Sequence, residues 1–357
     1  MPPTKPYVYY AADISYFSGI TRPALPQKNL HYRESLPDIN LIQEKTGLGF
    51  IPVLLTPEGE AWQDTSEILD QLEERHPDPP LYPATPVQRI VAYLVELYGN
   101  ELGILPAMHY RWGFEESKQK VLHDFGNQGV PAAATAALSQ KMSTSLPFLG
   151  VNEATAPEIE GHLHDLLAAL SAHFEEHRFL LGDAMSLGDC GLMGPLYGHL
   201  FRDAVPERLL YETAGPVCQW IERMNRPPLD QTGWLPEDTL AATLGEVLRV
   251  MAEGVPLLLA ALRMIDDWAD ANIDQPGPLP PAVGLAQAAY RGLASRLGAR
   301  PYSLWMVQRS LDAYAGLSTT GREQVEISLA GTGWEELLAY SPRHRLGKWD
   351  RQLFWEE

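Results

Sequence analysis

Short apolar runs alternate with helical periodicity over the first eighty residues of the chain. Runs rich in aromatic and β-branched residues predict strands, whereas apolar positions three or four residues apart predict helices. Pro52 interrupts the third apolar run, and turn-forming residues separate that run from the fourth. The pattern predicts the order strand, helix, strand, helix, strand, strand, helix, with strands within residues 7–12, 29–33, 50–55 and 61–63 and helices within residues 13–22, 36–45 and 64–76.

Helical periodicity dominates the remainder of the chain. Apolar residues recur every three or four positions over residues 159–174, and Pro157 suits the first turn of that helix. Because apolar stripes must be buried, we expect the last helices to pack on the helices that precede them. These last stripes lie within residues 244–251, 258–268, 304–314 and 323–329.

Composition places the chain among globular proteins and excludes several partners. Hydrophobic residues make up 45% and charged residues 20% of its 357 positions, and the net charge of −19 is spread along the chain. No segment has the basic charge of a nucleic-acid-binding surface, and an acidic protein is repelled by anionic membranes. No apolar run is long enough to cross a bilayer. We therefore expect no nucleic-acid partner and no membrane partner.

The cysteines and histidines do not predict a metal site. Cys190 and Cys218, the two cysteines, form no closely spaced pair, which fits thiols in a reducing, cytoplasmic compartment. His173 and His177 lie one helical turn apart but lack the glutamate that follows the first histidine of zinc proteases. We expect no bound metal.

The tail of this acidic chain carries a cluster of basic side chains. Its cations are Arg343, His344, Arg345, Lys348 and Arg351. In so acidic a protein, we expect this cluster to dock on the protein's own body.

Two local patterns have geometric explanations. A cis peptide bond before Pro52 would turn the backbone N–H and C=O of Ile51 out of the sheet, where an extended peptide ligand can pair with them. Ser186 and Asp189 have the spacing of a capping box, in which each residue satisfies a free N–H at a helix start.

The order of these motifs resembles that of the cytosolic glutathione S-transferases. Residues 51–54, the hairpin after them, and the helix that Asp64 and Thr65 begin are similar to the glutathione-binding half of this family. Residues 15–18, Ser-Tyr-Phe-Ser, lie where many members have Ser-x-x-Ser, and residues 179–189 are similar to the start of the family's buried core helix. The chain is identified as a bacterial-type member with a C-terminal extension.

The resemblance implies an α+β protein with three domains. We expect a thioredoxin-like, glutathione-binding domain at residues 1–84 and an all-helical domain at residues 85–229. Residues 230–357 exceed the usual two-domain length and are expected to form additional helices packed on the helical domain. Family members usually dimerise, so the resemblance also implies a homodimer.

The resemblance implies a glutathione site at the start of the fourth predicted helix. Asp64 would pair with the ammonium of the γ-glutamyl group, and Thr65 would bind its carboxylate. Ile51 and Pro52 would hold the cysteinyl backbone. The alternative is that Asp64 and Thr65 only cap their helix.

One hydroxyl near the first turn would stabilise the glutathione thiolate by hydrogen bonding. Ser15 is the best match for the family's activating serine, and Ser18 is the next. The hydroxyls of Tyr9, Tyr10 and Tyr16 are close enough to remain alternatives, and Ser15 is also a suitable structural N-cap.

An aromatic segment is the candidate pocket for a second substrate. Its residues His109, Tyr110, Arg111 and Trp112, together with Tyr16, are expected to line the pocket. Arg111 would hold an anionic group, or else the segment is a core edge with a solvent-facing arginine. The resemblance implies attack of the thiolate on a small electrophile, in conjugation, dehalogenation, ether cleavage or isomerisation. The alternative is a non-catalytic binding or scaffold protein with this fold.

Overall fold

The computed structural model describes residues 5–274, 277–349 and 351–356. The first part is a four-stranded sheet covered by helices, in the predicted order, with a short additional helix after the first one. Its elements are β1 (Tyr7–Tyr10), α1 (Tyr16–Thr21), α2 (Ala24–Gln27), β2 (Tyr32–Ser35), α3 (Ile39–Thr46), β3 (Val53–Leu55), β4 (Ala61–Gln63) and α4 (Thr65–Arg75).

The strands of this sheet lie in the order β2-β1-β3-β4. β2 runs parallel to β1, whereas β3 is antiparallel to both β1 and β4. The buried faces of the strands and of α4 join the same apolar core as the helices that follow. The mixed sheet and the helical second part confirm the predicted α+β class.

The second part is helical, as predicted. Its helices are α5 (Pro86–Leu97), α6 (Ile104–Trp112), α7 (Glu115–Asn127), α8 (Ala132–Ser145), α9 (Ala156–Glu176), α10 (Leu187–Met193), α11 (Ala204–Thr213) and α12 (Gly215–Asn225). Two π-helical turns, Tyr98–Leu102 and Gly194–Leu200, follow α5 and α10, and a 3₁₀ turn, Leu146–Leu149, follows α8. Among the described residues, no helix is both long and apolar enough to cross a lipid bilayer.

The core helix α10 packs closely on the end of α5. A Cβ on Gly99 would lie 2.2 Å from the carbonyl oxygen of Gly191, so both positions need glycine. The predicted capping box is confirmed at the start of α10. Asp189 accepts from the Ser186 backbone N–H at 2.9 Å and from the Trp220 indole at 3.1 Å, which fixes the helix start in the core.

The remaining elements form the extension. They are α13 (Ala242–Met251), α14 (Val255–Asn272), β5 (Gly284–Tyr290), β6 (Leu293–Ala299), α15 (Pro301–Ala315), α16 (Thr319–Leu329), α17 (Glu335–Leu338), β7 (Leu346–Trp349) and β8 (Gln352–Trp355). A short 3₁₀ turn, Pro236–Asp238, precedes them, and another, Ala252–Gly254, separates α13 from α14. The additional helices were predicted, and α13 and α15 pack on α9 and α5.

Two hairpins in the extension, β5–β6 and β7–β8, were not predicted. The first is rich in alanine and glycine, and its two-residue turn is Arg291 and Gly292 instead of the common Asn-Gly. A Cβ on Gly298 would lie 2.0 Å from the Phe148 ring, so close packing accounts for this glycine in a strand. The extension is therefore helical only in part.

The basic tail docks on the protein's own acidic surface, as predicted. Arg343 pairs with Asp270 at 2.9 Å, and Arg345 pairs with Asp312 at 2.7 Å. Lys348 reaches farther, to the first part of the chain, where it contacts Asp64. The extension therefore packs on the helical domain and also covers one edge of the small sheet.

Candidate functional site

Three segments of the chain join the small sheet at the same end of its strands. Tyr10, the last residue of β1, lies opposite Val53, the first residue of β3. Val53 in turn lies opposite Gln63, the last residue of β4. Because Ser15 follows β1 and Asp64 follows β4, the turns that hold these two residues start from the same end of the sheet.

Ser15 is the N-cap of α1 and lies at the boundary with the helical domain. Its Oγ accepts from the Ser18 backbone N–H at 3.2 Å, and the residue is half-buried. The carbonyl oxygen of Ser15 would be 2.8 Å from a Cβ on Gly198, in the π-helical turn after α10. The hydroxyl proton of Ser15 has no acceptor among the described residues and is available for a ligand.

The other candidate hydroxyls near α1 are more deeply buried. Tyr9 donates to the carbonyl oxygen of Ser18 at 2.7 Å, and Tyr16 donates to the carbonyl oxygen of Gly99. Burial raises the pKa of both tyrosines above the ordinary value. Ser18 is also fully buried, whereas Tyr10 is half-buried like Ser15. These contacts favour Ser15 over Ser18 and Tyr16 as the group that meets a thiol.

The Ile51-Pro52 peptide bond is cis, as predicted. The backbone N–H and C=O of Ile51 form no hydrogen bond within the described part of the chain. The preceding loop is held by the Gln63 side chain, which donates to the carbonyl oxygens of Leu48 at 3.0 Å and Phe50 at 2.7 Å. Ile51 therefore presents an unpaired backbone donor and acceptor at this end of the sheet.

Asp64 and Thr65 form the start of α4. Asp64 has a φ of 84°, a conformation that L residues rarely adopt, and its Oδ1 accepts from the Ser66 N–H at 3.1 Å. Thr65 is buried and donates from Oγ1 to Asn100 at 3.2 Å. Helix capping by Asp64 is thus real, and the second oxygen of the carboxylate remains for other partners.

Two residues of the extension bind that second oxygen of Asp64. The Tyr302 hydroxyl donates to Oδ2 at 2.8 Å, and the Lys348 ammonium donates to it at 2.9 Å. Lys348 also contacts Glu67 at 2.9 Å. Lys348 belongs to the basic cluster that was expected to dock on the protein's own body, but its contact with Asp64 was not predicted. No local pattern could have predicted this contact, since 284 positions separate the two residues.

Beneath this contact, α4 is tied to α5 and α15 by a buried polar group. Ser66 donates to Glu96 at 2.6 Å, and Arg309 contacts both Glu96, at 3.4 Å, and Asp70, at 2.5 Å. Burial raises the pKa of the Glu96 carboxyl. The start of α4 is therefore held by both the helical domain and the extension.

Arg111 is used inside the protein and does not face a substrate. Its guanidinium pairs with Asp203 at 2.7 Å and donates to the carbonyl oxygens of Ile14 at 2.6 Å and Gly198 at 2.8 Å. The side chain is buried. The predicted role of holding an anionic substrate group therefore does not fit the structure, and the solvent-facing alternative does not fit it either.

The other aromatic-segment residues lie on buried sides of α6. His109 contacts Glu160 at 2.8 Å, and Tyr110 stacks on Phe114 with ring centroids 5.2 Å apart. Burial raises the pKa of Tyr110 to about 12. Trp112 is buried too. A role of these residues in lining a substrate pocket stays a prediction.

The described residues hold no group of three or more histidine, cysteine, aspartate or glutamate side chains with the geometry of a metal site. Cys190 and Cys218 are buried free thiols. The polar groups in the segments at this end of the sheet are the Ser15 hydroxyl, the unpaired peptide groups of Ile51 and the carboxylate of Asp64. Such groups suit an organic ligand with a thiol, a peptide backbone and an ammonium.

Family models match both parts of the chain that carry these motifs. The glutathione S-transferase N-terminal domain matches residues 10–80, and the glutathione S-transferase C-terminal domain matches residues 130–228. No curated protein sequence gives a significant match.

Solved structures of similar fold include three bacterial proteins. A glutathione S-transferase from Rhodospirillum rubrum is 18% identical, with 67% of this chain and 97% of that chain covered and a TM-score of 0.40. The beta-etherase LigF from Sphingobium sp. strain SYK-6 is 16% identical, with 63% and 96% covered and a TM-score of 0.45. A glutathione S-transferase from Methylobacterium radiotolerans, in complex with glutathione sulfonate, is 21% identical, with 66% and 99% covered and a TM-score of 0.39. These values are too low to assign a reaction to this chain.

Proposed function

Because this chain belongs to the glutathione S-transferase family, we propose that it binds glutathione as co-substrate and uses the thiolate on a small electrophile. The observation that carries the proposal is that three segments start from the same end of the sheet. They hold the Ser15 hydroxyl, the unpaired backbone of Ile51 and the Asp64 carboxylate. Each group suits one part of glutathione, namely its thiol, its cysteinyl backbone and its γ-glutamyl ammonium.

Ser15 is the residue that we assign to thiol activation. A free cysteine thiol has a pKa of about 8.5, so little thiolate exists at neutral pH. A hydrogen bond donated by the Ser15 hydroxyl to sulfur favours the thiolate and lowers that pKa. The thiol proton passes to water and the thiolate attacks an electrophilic carbon. In a substitution, the leaving group departs with the electron pair of its bond. Conjugation, dehalogenation, ether cleavage and isomerisation can all start from this attack.

One observation favours a second candidate function. Asp64 already has Lys348 and Tyr302 as partners, so the site is partly filled by the protein itself. A non-catalytic binding or scaffold protein with the same fold would tolerate such filling permanently. Glutathione binding therefore decides between the two functions.

We also propose a cytoplasmic location and a homodimer. The buried free thiols of Cys190 and Cys218 suit a reducing compartment, where glutathione is available as a thiol. We propose the homodimer because members of the family usually dimerise.

Calorimetric titration of glutathione into the purified protein tests the proposed function. We expect a Kd between micromolar and low millimolar, and roughly 10- to 100-fold weaker binding by Asp64→Asn, because a hydrogen bond to a charged group contributes about 1.5–3 kcal/mol. Asp38→Asn is the matched control, since Asp38 caps α3 in the same way, through the Leu41 N–H at 3.1 Å. Absence of binding by both the parent protein and a Lys348→Met variant would favour the scaffold function, since Lys348 already contacts Asp64.

A further inference from the structure

The Lys348 ammonium lies in a compact cation pocket at the end of the sheet where α4 begins. Its Nζ is 2.9 Å from both Asp64 Oδ2 and Glu67 Oε1, and 4.4 Å from the centre of the Trp305 ring. The centre of the Tyr302 ring is 5.8 Å away. Two carboxylates and two aromatic rings are the groups that bind an organic ammonium best.

We propose that Lys348 is a built-in competitor, whose ammonium occupies the subsite that takes the γ-glutamyl ammonium of glutathione. This inference rests on the proposed function, because it takes Asp64 as the ammonium partner of glutathione. The site as described is therefore self-occupied, and glutathione binds by displacing the Lys348 side chain.

The hydrogen bonds of Asp64 show why the two ammonium groups compete. Oδ1 accepts from the Ser66 N–H, while Oδ2 accepts from Tyr302 and Lys348 together. The Lys348 side chain is 9% exposed and that of Asp64 is 14% exposed, so little of the carboxylate faces solvent. A second ammonium would meet both a filled oxygen and a like charge within a few ångströms.

The hairpin that carries Lys348 is held at its base by α15, and at its tip Arg351 donates to the carbonyl oxygen of Ala61 in β4 at 3.2 Å. At the base, Gln308 of α15 donates to the Leu346 carbonyl at 3.0 Å and accepts from the Leu346 N–H at 2.8 Å. Near the tip, Trp349 is 80% exposed. Lys348 lies between these two contacts, so its side chain can leave the pocket while Gln308 and Arg351 keep the hairpin attached.

The effect of removing Lys348 on glutathione binding distinguishes competition from a supporting role. If Lys348 served to bind the γ-glutamyl carboxylate, its removal would weaken glutathione binding. If it competes with the γ-glutamyl ammonium, its removal strengthens binding, and only for ligands that carry this ammonium.

Calorimetry with Lys348→Met tests the competition. Methionine keeps an unbranched apolar chain beside Trp305 but removes the charge. We expect Lys348→Met to bind glutathione at least tenfold more tightly than the parent protein. Lys141→Met, an equal change of charge on the exposed face of α8, should leave the affinity unchanged.

A glutathione analogue without the amino group, glutaryl-cysteinylglycine, is the second ligand. Its affinity should be nearly the same for the parent protein and for Lys348→Met. Equal gains for both ligands would overturn the competition for the ammonium subsite, because they would indicate a general opening of the site. Thermal melting checks that the variant folds, and Lys348→Gln replaces it if it does not.

The outcomes distinguish the two proposals. Unchanged or weaker glutathione binding by Lys348→Met, with binding by the parent protein, overturns the competitor role and leaves the proposed function in place. Absence of glutathione binding by the parent protein and by the Lys348 variant overturns both proposals, since removal of the competitor would then reveal no site.

Discussion

The turn after β1 holds Ser15 and is also contacted by Arg111 of the helical domain. Arg111 donates to the carbonyl oxygen of Ile14 while it pairs with Asp203 of the helical domain. The backbone just before Ser15 is thereby fixed to a buried ion pair, and the Ser15 hydroxyl keeps its proton for a ligand. The position of the hydroxyl that we propose for thiol activation therefore depends on the helical domain as well as on the sheet.

At the residue scale, we expect Ser15→Ala to lower the turnover of a chloronitrobenzene by glutathione about 10- to 100-fold. This range corresponds to the loss of one hydrogen bond to a charged sulfur, about 1.5–3 kcal/mol. The measurement is kcat/KM by release of the conjugate at neutral pH, with Ser15→Thr as the control that keeps the hydroxyl. A Ser15→Ala protein as active as the parent would assign activation to another hydroxyl, with Tyr10 the next to test.

Helices α9 and α13 are joined by a histidine that is buried in its neutral form. His173 of α9 contacts Thr243 of α13 at 2.9 Å. Burial, assisted by the nearby His177, lowers the pKa of His173 to about 4. A histidine in the unfolded chain has a pKa of about 6.5. The unfolded state therefore takes up this proton first as the pH falls, and the folded state loses stability below pH 6.5.

At the element scale, we expect the free energy of unfolding to fall by about 2 kcal/mol between pH 7 and pH 5 through His173 alone. Urea denaturation at the two pH values measures it. His173→Gln should show a smaller loss than the parent by that amount, whereas His164→Gln, an exposed histidine on the same helix, should match the parent. Equal losses for all three proteins would contradict a neutral, buried His173.

The extension joins the two family domains on one side of the molecule. Its helix α15 packs on α5, and Tyr302 at the start of α15 reaches Asp64 in the small domain. In the proposed homodimer, the second copy of the chain would therefore dock elsewhere. Phe50 and Ile39 are 66% and 50% exposed, and the Ile39 side chain lies 3.2 Å from a Cβ placed on Gly49, the residue before Phe50. Both side chains offer exposed apolar area on the small domain.

At the scale of the whole molecule, we expect elution from a sizing column at twice the mass of one chain. Phe50→Ser should shift the protein toward the mass of one chain, because it removes apolar area from the predicted contact. Ile327→Ser, an equally drastic change at an exposed site on the extension, should leave the elution unchanged. Elution of the parent protein at the mass of one chain would contradict the homodimer.

The features that were predictable from sequence are local ones. The cis bond before Pro52 and the capping box of Ser186 and Asp189 lie within short motifs, and the structure confirms both. The partners of Arg111 and Lys348 were not predictable, since each lies far away in the chain. The β5–β6 hairpin escaped prediction because its alanine-rich strands owe their conformation to packing on α14.

Lys348 is attached to the site by the chain itself, and that attachment has a quantitative consequence. A tethered group has an effective concentration that the tether sets, in the millimolar range for short flexible connections. Dilution of the protein does not change this concentration, and no second molecule is needed to supply it. The ligand concentration that half-fills the site is therefore scaled by the tether, so the protein would respond to abundant ligand and ignore traces of it.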